Sequence, residues 1–245
     1  MNVSLIDMVF PGDANHHGTL FGGVGLAHLD KVAFLAAARH ARRPIVTAGC
    51  ERIDFVAPAR IGEMVEATGR VVRVGRTSMS VEVELHAEVP TTGERRLCTR
   101  GRFNMVAPKG QGDGDLPPLA ETDAADDGWL TTVETVFPGA TNHYGTLYGG
   151  DALKLMGKAA FICATRRARG VMVMAASNRV DFRHPIDQGD IVELRSRPSR
   201  VGRSSVTVEV ELWGEGLLTG QRRRAAVSEF VMVGVDERGR AKPFV

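Results

Sequence analysis

VFPGDANHHGTLFGG, running from Val9 to Gly23, returns as VFPGATNHYGTLYGG from Val136 to Gly150, and this repetition decides how the chain is organised. The offset of 127 residues between Val9 and Val136 then holds without a gap to Val106 and Val233, with roughly half of the aligned positions identical. It pairs Arg52, Asp54 and Phe55 with Arg179, Asp181 and Phe182, and VGRTSMSVEVEL from Val74 with VGRSSVTVEVEL from Val201. Self-similarity over such a length means one supersecondary plan written twice. Between the copies, APKGQGDGDLPPLAETDAADDG is rich in Gly, Pro, Asp and Ala and poor in large apolar residues, so it reads as a linker. The expected domains are therefore 1–106 and 129–245, joined by 107–128.

Each copy carries the same pattern: a short strand, a loop, one helix and a run of strands. In the first, Leu26, Leu29, Ala33, Ala37 and His40 recur at helical spacing from Gly22 to about Arg42, with Pro44 just beyond. In the second the stripe is Leu153, Met156, Ala160 and Ala164, and the small alanines let a sheet approach closely. Strands are expected at about 45–56, 63–73, 77–88 and 96–106. Val81 to Leu85 and Val208 to Leu212 alternate apolar and acidic residues, the mark of a sheet with one wet face. A long helix against an antiparallel sheet of about five strands is an α+β domain, and two in one chain suggest an internal pseudo-dimer.

Composition narrows the function classes. Of the 245 residues, 43% are hydrophobic and 24% charged, as in globular proteins. The net charge of +2 comes with no long basic block, since Arg222 to Arg224 continues a strand-like stretch, so nucleic acid is not the expected partner. No stretch approaches the roughly 18 apolar residues of a membrane span, and MNVSLIDMVF lacks a signal-peptide pattern, so neither membrane nor secretion is expected and the chain is placed in the cytoplasm. Cys50, Cys98 and Cys163 are expected as reduced, buried thiols. His16, His17 and His143 lack the spacing of a ligand set, so no metal is expected.

The chemistry gathers at the loop N-x-x-G-T-L-x-G-G, Asn15 to Gly23 and Asn142 to Gly150, which opens straight into each helix. Unsatisfied N–H groups at a helix start can polarise a carbonyl or hold an oxyanion. Asp30 lies beside Leu29 on the apolar-striped helix, where a carboxylate is expected to be buried and therefore paired or employed. The second copy sharpens this: the position of Asp30 holds Gly157 and that of Thr47 holds Met174, while Asn142, His143, Gly145, Gly149 and Gly150 persist. One acid and its hydroxyl neighbour are lost together, leaving one working site. Gly22 and Asp30 are about two helical turns apart, roughly 12 Å, so one carbonyl cannot touch both. A pseudo-two-fold pairing of the helices would instead bring Asp30 to the loop of the other copy, near Asn142 and Gly149.

D-A-N-x-x-G-x-L-x-G-G, then L-D-x-V-A, A-R-H, V-T-A, F-x-x-P and V-G-R-T-S, in this order, resemble the hot-dog acyl-CoA thioesterases, especially the cytosolic tandem-domain kind. The resemblance covers both copies. It implies an antiparallel sheet wrapped around a long central helix in each half, assembly into a homotrimer of tandem chains, and hydrolysis of an acyl-CoA. It further implies Asp30 as general base or nucleophile, Asn142 from the opposite unit, the Gly149 amide on the thioester carbonyl, and Thr47 supporting Asp30. Gly157 and Met174 depart from the pattern, which puts any second half-site built on Asn15 and Gly22 in doubt. Coenzyme A carries three phosphates, so Arg76, Ser78, Arg203 and Ser205, in the turns after Val74 and Val201, are expected to bind it. No cofactor is expected, because coenzyme A belongs to the substrate. A hot-dog hydratase or dehydratase using His16 with Asp30, and a non-catalytic acyl-CoA binder, remain as rival readings.

Overall fold

Alternation of side chains along each strand and small residues along each helix build both halves of the chain. The computed structural model describes residues 2–110, 114–119 and 127–244. The chain divides into two compact units, formed chiefly by Met1–Glu88 with Arg95–Ala125 and by Asp126–Gly216 with Gln221–Val245. The first unit contains β1 (Asn2–Met8), α1 (Gly22–Ala41), β2 (Val46–Cys50), β3 (Asp54–Phe55), β4 (Met64–Val74), β5 (Ser78–Glu88) and β6 (Arg95–Val106). The second contains β7 (Leu130–Thr135), α2 (Gly149–Ala168), β8 (Met172–Ser177), β9 (Ile191–Val201), β10 (Ser205–Glu215) and β11 (Arg222–Gly234). Among the described residues no helix is long and apolar enough to cross a membrane.

The sheets are antiparallel, ordered β1-β4-β5-β6-β2 in the first unit and β7-β9-β10-β11-β8 in the second. This is the α+β plan expected from the repeat, in the hot-dog form that the resemblance implies. The first sheet has a sixth strand, β3, paired with β6. The expected strand over 45–56 is thus split, because β2 bulges between Thr47 and Gly49 and Ile53 folds across Gly101, whose missing side chain leaves it room. On β5 Val81, Val83 and Leu85 are buried, whereas Glu82 faces outward and pairs with Arg102 at 2.8 Å.

Helix and sheet meet through small residues. Leu29, Val32, Ala33, Leu35 and Ala37 of α1 are fully buried. The approach is closest at Gly69 of β4, where a side-chain carbon would lie 2.7 Å from the Val32 carbonyl oxygen. In α2, Met156, Ala160 and Ala164 are buried as expected, but Leu153 is 43% exposed. It points off the face on which Ala152 and Met156 are buried. Both helices end on an arginine in the left-handed conformation, Arg42 and Arg169, each at φ 51°.

Two further expectations need correction or refinement. Cys98 and Cys163 are buried, and burial pushes the Cys163 thiol up to about 11, but Cys50 is exposed at the end of the sheet-edge strand β2. In the connecting stretch, Leu116 is buried and its N–H donates to the Arg76 carbonyl at 3.0 Å. The Pro117 carbonyl lies 2.8 Å from His40, and the Gly114 carbonyl accepts from Arg43 at 3.0 Å. Of the two leucines of that segment, Leu116 is buried and Leu119 exposed, so it is Leu116 that seats its described part on the first unit.

Candidate active site

The loop that opens each helix is closed by its own asparagine. In the second unit, Asn142 Oδ1 accepts from the Tyr144 N–H at 2.9 Å, Asn142 Nδ2 donates to Thr146 Oγ1 at 2.9 Å, and the Asn142 N–H donates to the Thr146 carbonyl at 2.8 Å. Asn15 makes the same bonds in the first unit, to His17, Thr19 and the Thr19 carbonyl, at 2.9, 3.0 and 2.8 Å. Glycine is required at the corner, since Gly18 and Gly145 take φ of 71° and 75°. An amide nitrogen carries two hydrogens, so each asparagine closes its loop with one and has another to offer.

Neither helix start has a side-chain cap. The residues before the first turn, Phe21 and Tyr148, are extended and provide no capping hydrogen bond. The first-turn amides of Gly22 and Gly149 thus keep the partial positive character of a helix N-terminus. Nothing stands within 4 Å of where a side chain on Gly149 would begin, while at Gly22 the Phe55 ring is 3.5 Å away.

Beside each helix start lies a pocket within its own unit. In the first unit it measures about 360 Å³, between Asn15, Thr19 and Gly22 on one side and the segment Phe55 to Ala59 on the other. In the second it measures about 320 Å³, between Thr146 and Gly149 and the segment Phe182 to Ile186. The second segment is pinned at both ends, the Arg183 N–H donating to the Ala225 carbonyl and the Leu147 N–H donating to the Ile186 carbonyl, both at 2.8 Å. Sequence reasoning did not assign these two segments to a site. The signal was present in the F-x-x-P shared by both copies, and in the change from Val56 and Ala57 to Arg183 and His184 within it.

Asp30 projects from the middle of α1 toward β2, where Thr47 Oγ1 donates to its Oδ1 at 2.7 Å. It is half-buried rather than buried, because Leu29 and Val32 beside it take the sheet-facing side and Asp30 flanks them. Among the described residues Asp30 has no ion-pair partner; a hydroxyl alone holds it. At the matching place in the second unit Gly157 is buried and Met174 covers it, the Met174 methyl lying 2.9 Å from where a side chain would start. The acid and its hydroxyl have been replaced together by a gap and the methionine that fills it.

The remaining expected residues lie elsewhere within their units. Arg76 and Ser78 occupy the exposed turn between β4 and β5, closed by the Gly75 N–H donating to the Ser78 carbonyl at 2.7 Å. Arg203 and Ser205 occupy the matching turn, closed by Gly202 and Ser205 at 2.7 Å. None of the four lines either pocket. His16 and His17 are exposed, with tilted rings whose centres are 3.8 Å apart, and the His143 and Tyr144 rings lie 3.9 Å apart in the same way.

Known proteins resemble this chain in sequence and in fold. A crystal structure of an acyl-CoA hydrolase from Agrobacterium tumefaciens superposes with a TM-score of 0.89 at 50% identity, covering 97% of this chain and 96% of that one. An uncharacterized acyl-CoA thioester hydrolase of Bacillus subtilis is 41% identical over 99 residues, which are 40% of this chain and 58% of that protein. The human cytosolic acyl coenzyme A thioester hydrolase is 23% identical over 95% of this chain and 74% of its own length. The thioesterase superfamily profile matches twice, over residues 17–94 and 144–220, once in each copy of the repeat. The chain belongs to the thioesterase superfamily.

Proposed function

We propose that the chain is an acyl-CoA thioester hydrolase that converts an acyl-CoA to free acid and coenzyme A, with Asp30 as its acid/base residue. The observation that carries this reading is the 2.7 Å hydrogen bond from Thr47 to a carboxylate with no cationic partner among the described residues. A hydroxyl fixes the direction of the carboxylate and leaves one oxygen for a water.

Asp30 removes a proton from a water that attacks the thioester carbon, and the departing thiolate of coenzyme A recovers that proton. Asn142 orients the water, and the Gly149 amide stabilises the oxyanion. Attack by the Asp30 carboxylate itself, giving a mixed anhydride that water then opens, uses the same groups. Asn142 and Gly149 are preferred over Asn15 and Gly22 because Gly22 starts the helix that carries Asp30, roughly 12 Å away along the axis.

The test is release of free thiol from a panel of acyl-CoAs. Asp30→Ala should lower turnover about a thousandfold with little change in melting temperature. Native-rate thiol release by that variant overturns the assignment.

The same reading places the protein in the cytoplasm as a trimer of tandem chains. In its support, β2 is exposed along its whole length and β8 beyond Met172, two sheet edges bearing Val46, Val173 and Met174 that a partner copy would cover. Light scattering after gel filtration should give the mass of three chains, and a monomer at micromolar concentration overturns it.

A further inference from the structure

The two pockets are the same construction with different walls, and the difference points to substrate choice. At matching positions Gly25 gives way to Ala152 and Ala59 to Ile186, which adds side-chain bulk to the wall of the second pocket. At the rim Val56 and Ala57 give way to Arg183 and His184. Both are exposed side chains on a segment whose backbone is fixed at each end. The nearby carboxylate of Asp181 is already taken by Arg179 at 2.8 Å, so Arg183 is not neutralised by it. Among the described residues neither Arg183 nor His184 has an acidic partner.

This pocket lies at the small end of the range for ligand sites, roughly 300–1,000 Å³, and cannot take a whole coenzyme A thioester. It has room for the part of the substrate nearest the Gly149 amide. A short acyl group fits that space, and a guanidinium and an imidazole on the same pocket lining can together receive an anionic oxygen pair. We infer that Arg183 and His184 select acyl groups that are short and end in a carboxylate. The inference rests on the proposed role of Gly149 and adds a substrate class to it. The phosphates of coenzyme A offer similar anionic oxygens, but the pantetheine arm holds them farther from the thioester than this pocket extends.

The experiment uses the full chain and the double variant Arg183→Val with His184→Ala, which installs the first unit's residues. kcat/KM is measured for succinyl-CoA and for butyryl-CoA, which have equal carbon counts but differ in the terminal carboxylate, and for S-butyryl-pantetheine. The native chain should favour succinyl-CoA over butyryl-CoA by about tenfold or more, and the double variant should lose about tenfold of that ratio. A native preference for butyryl-CoA, or a ratio unmoved by the double substitution, overturns the inference. So does a loss on butyryl-CoA that vanishes with S-butyryl-pantetheine, because the anion recognised would then be a phosphate. Calorimetric binding to an Asp30→Ala chain separates this from the reaction itself. Tighter binding of succinyl-CoA than butyryl-CoA there supports the inference even where no thioester is hydrolysed, and equal binding overturns it.

Discussion

The two halves of the chain share a fold, a loop and a pocket, but one touching pair of positions holds Asp30 with Thr47 in one half and Gly157 with Met174 in the other. The parts retained in both, the asparagine-closed loop and the uncapped helix start, are those on which the fold at that corner depends. The part changed is the one that stability does not need, since a half-buried carboxylate held by a hydroxyl adds little to a core. A duplicated domain can thus lose its acid without losing its shape, and a methionine fills the place.

The largest effect expected from breaking this contrast is the thousandfold loss on Asp30→Ala, read as thiol release. The asparagines come next and provide their own control. Asn15 and Asn142 make matching loop bonds, so Asn15→Ala and Asn142→Ala should lower the melting temperature about equally, each costing about 1 kcal/mol or somewhat more. Only catalysis should separate them, with Asn142→Ala losing about a hundredfold in kcat and Asn15→Ala no more than severalfold. Equal kinetic losses would mean that both act only through loop closure.

A smaller effect comes from rebuilding the lost acid. Gly157→Asp alone meets the Met174 methyl at 2.9 Å, the movable end of a flexible side chain, and lacks a hydroxyl partner. Gly157→Asp with Met174→Thr supplies both room and hydrogen bond. Placed in an Asp30→Ala chain, the pair should raise turnover about tenfold above that background, with Asn15 and Gly22 then serving as its loop. If the pair adds nothing, the second half has lost more than these two groups.

Much of this was legible in the sequence because a repeat aligns a chain with itself. The offset of 127 residues placed Asp30 against Gly157 and Thr47 against Met174, so two losses at separate points could be read as one. The 2.7 Å bond between Asp30 and Thr47 is the physical reason that they change together. Less legible was what depends on contacts distant in sequence. Ile53 breaks its strand by lying over Gly101, Leu116 seats a segment of otherwise linker-like composition, and Asp30 owes its partial exposure to flanking the sheet-facing Leu29 and Val32. Arg183 and His184 were visible as letters inside F-x-x-P, but only the fold carries that segment to the helix start.

The last contrast lies in the core and concerns how one sequence plan tolerates two packings. In the first unit Val32 of α1 faces Gly69 of β4, and a side-chain carbon there would lie 2.7 Å from the Val32 carbonyl oxygen and 3.3 Å from its Cβ. The matching positions in the second unit hold Ala159 and Ser196, a smaller helix residue against a larger strand residue, both buried. The volumes are exchanged across the contact, so neither side should tolerate the other's residue alone. Gly69→Ser should destabilise the chain by about 2 kcal/mol in urea unfolding, because the clash is with helix backbone and not with a side chain that can turn aside. Adding Val32→Ala should recover part of that loss, a coupling that a double-mutant cycle reads directly. A double variant no more stable than Gly69→Ser alone would show that the limit is the distance between helix and strand backbones, with the Val32 side chain contributing nothing to it.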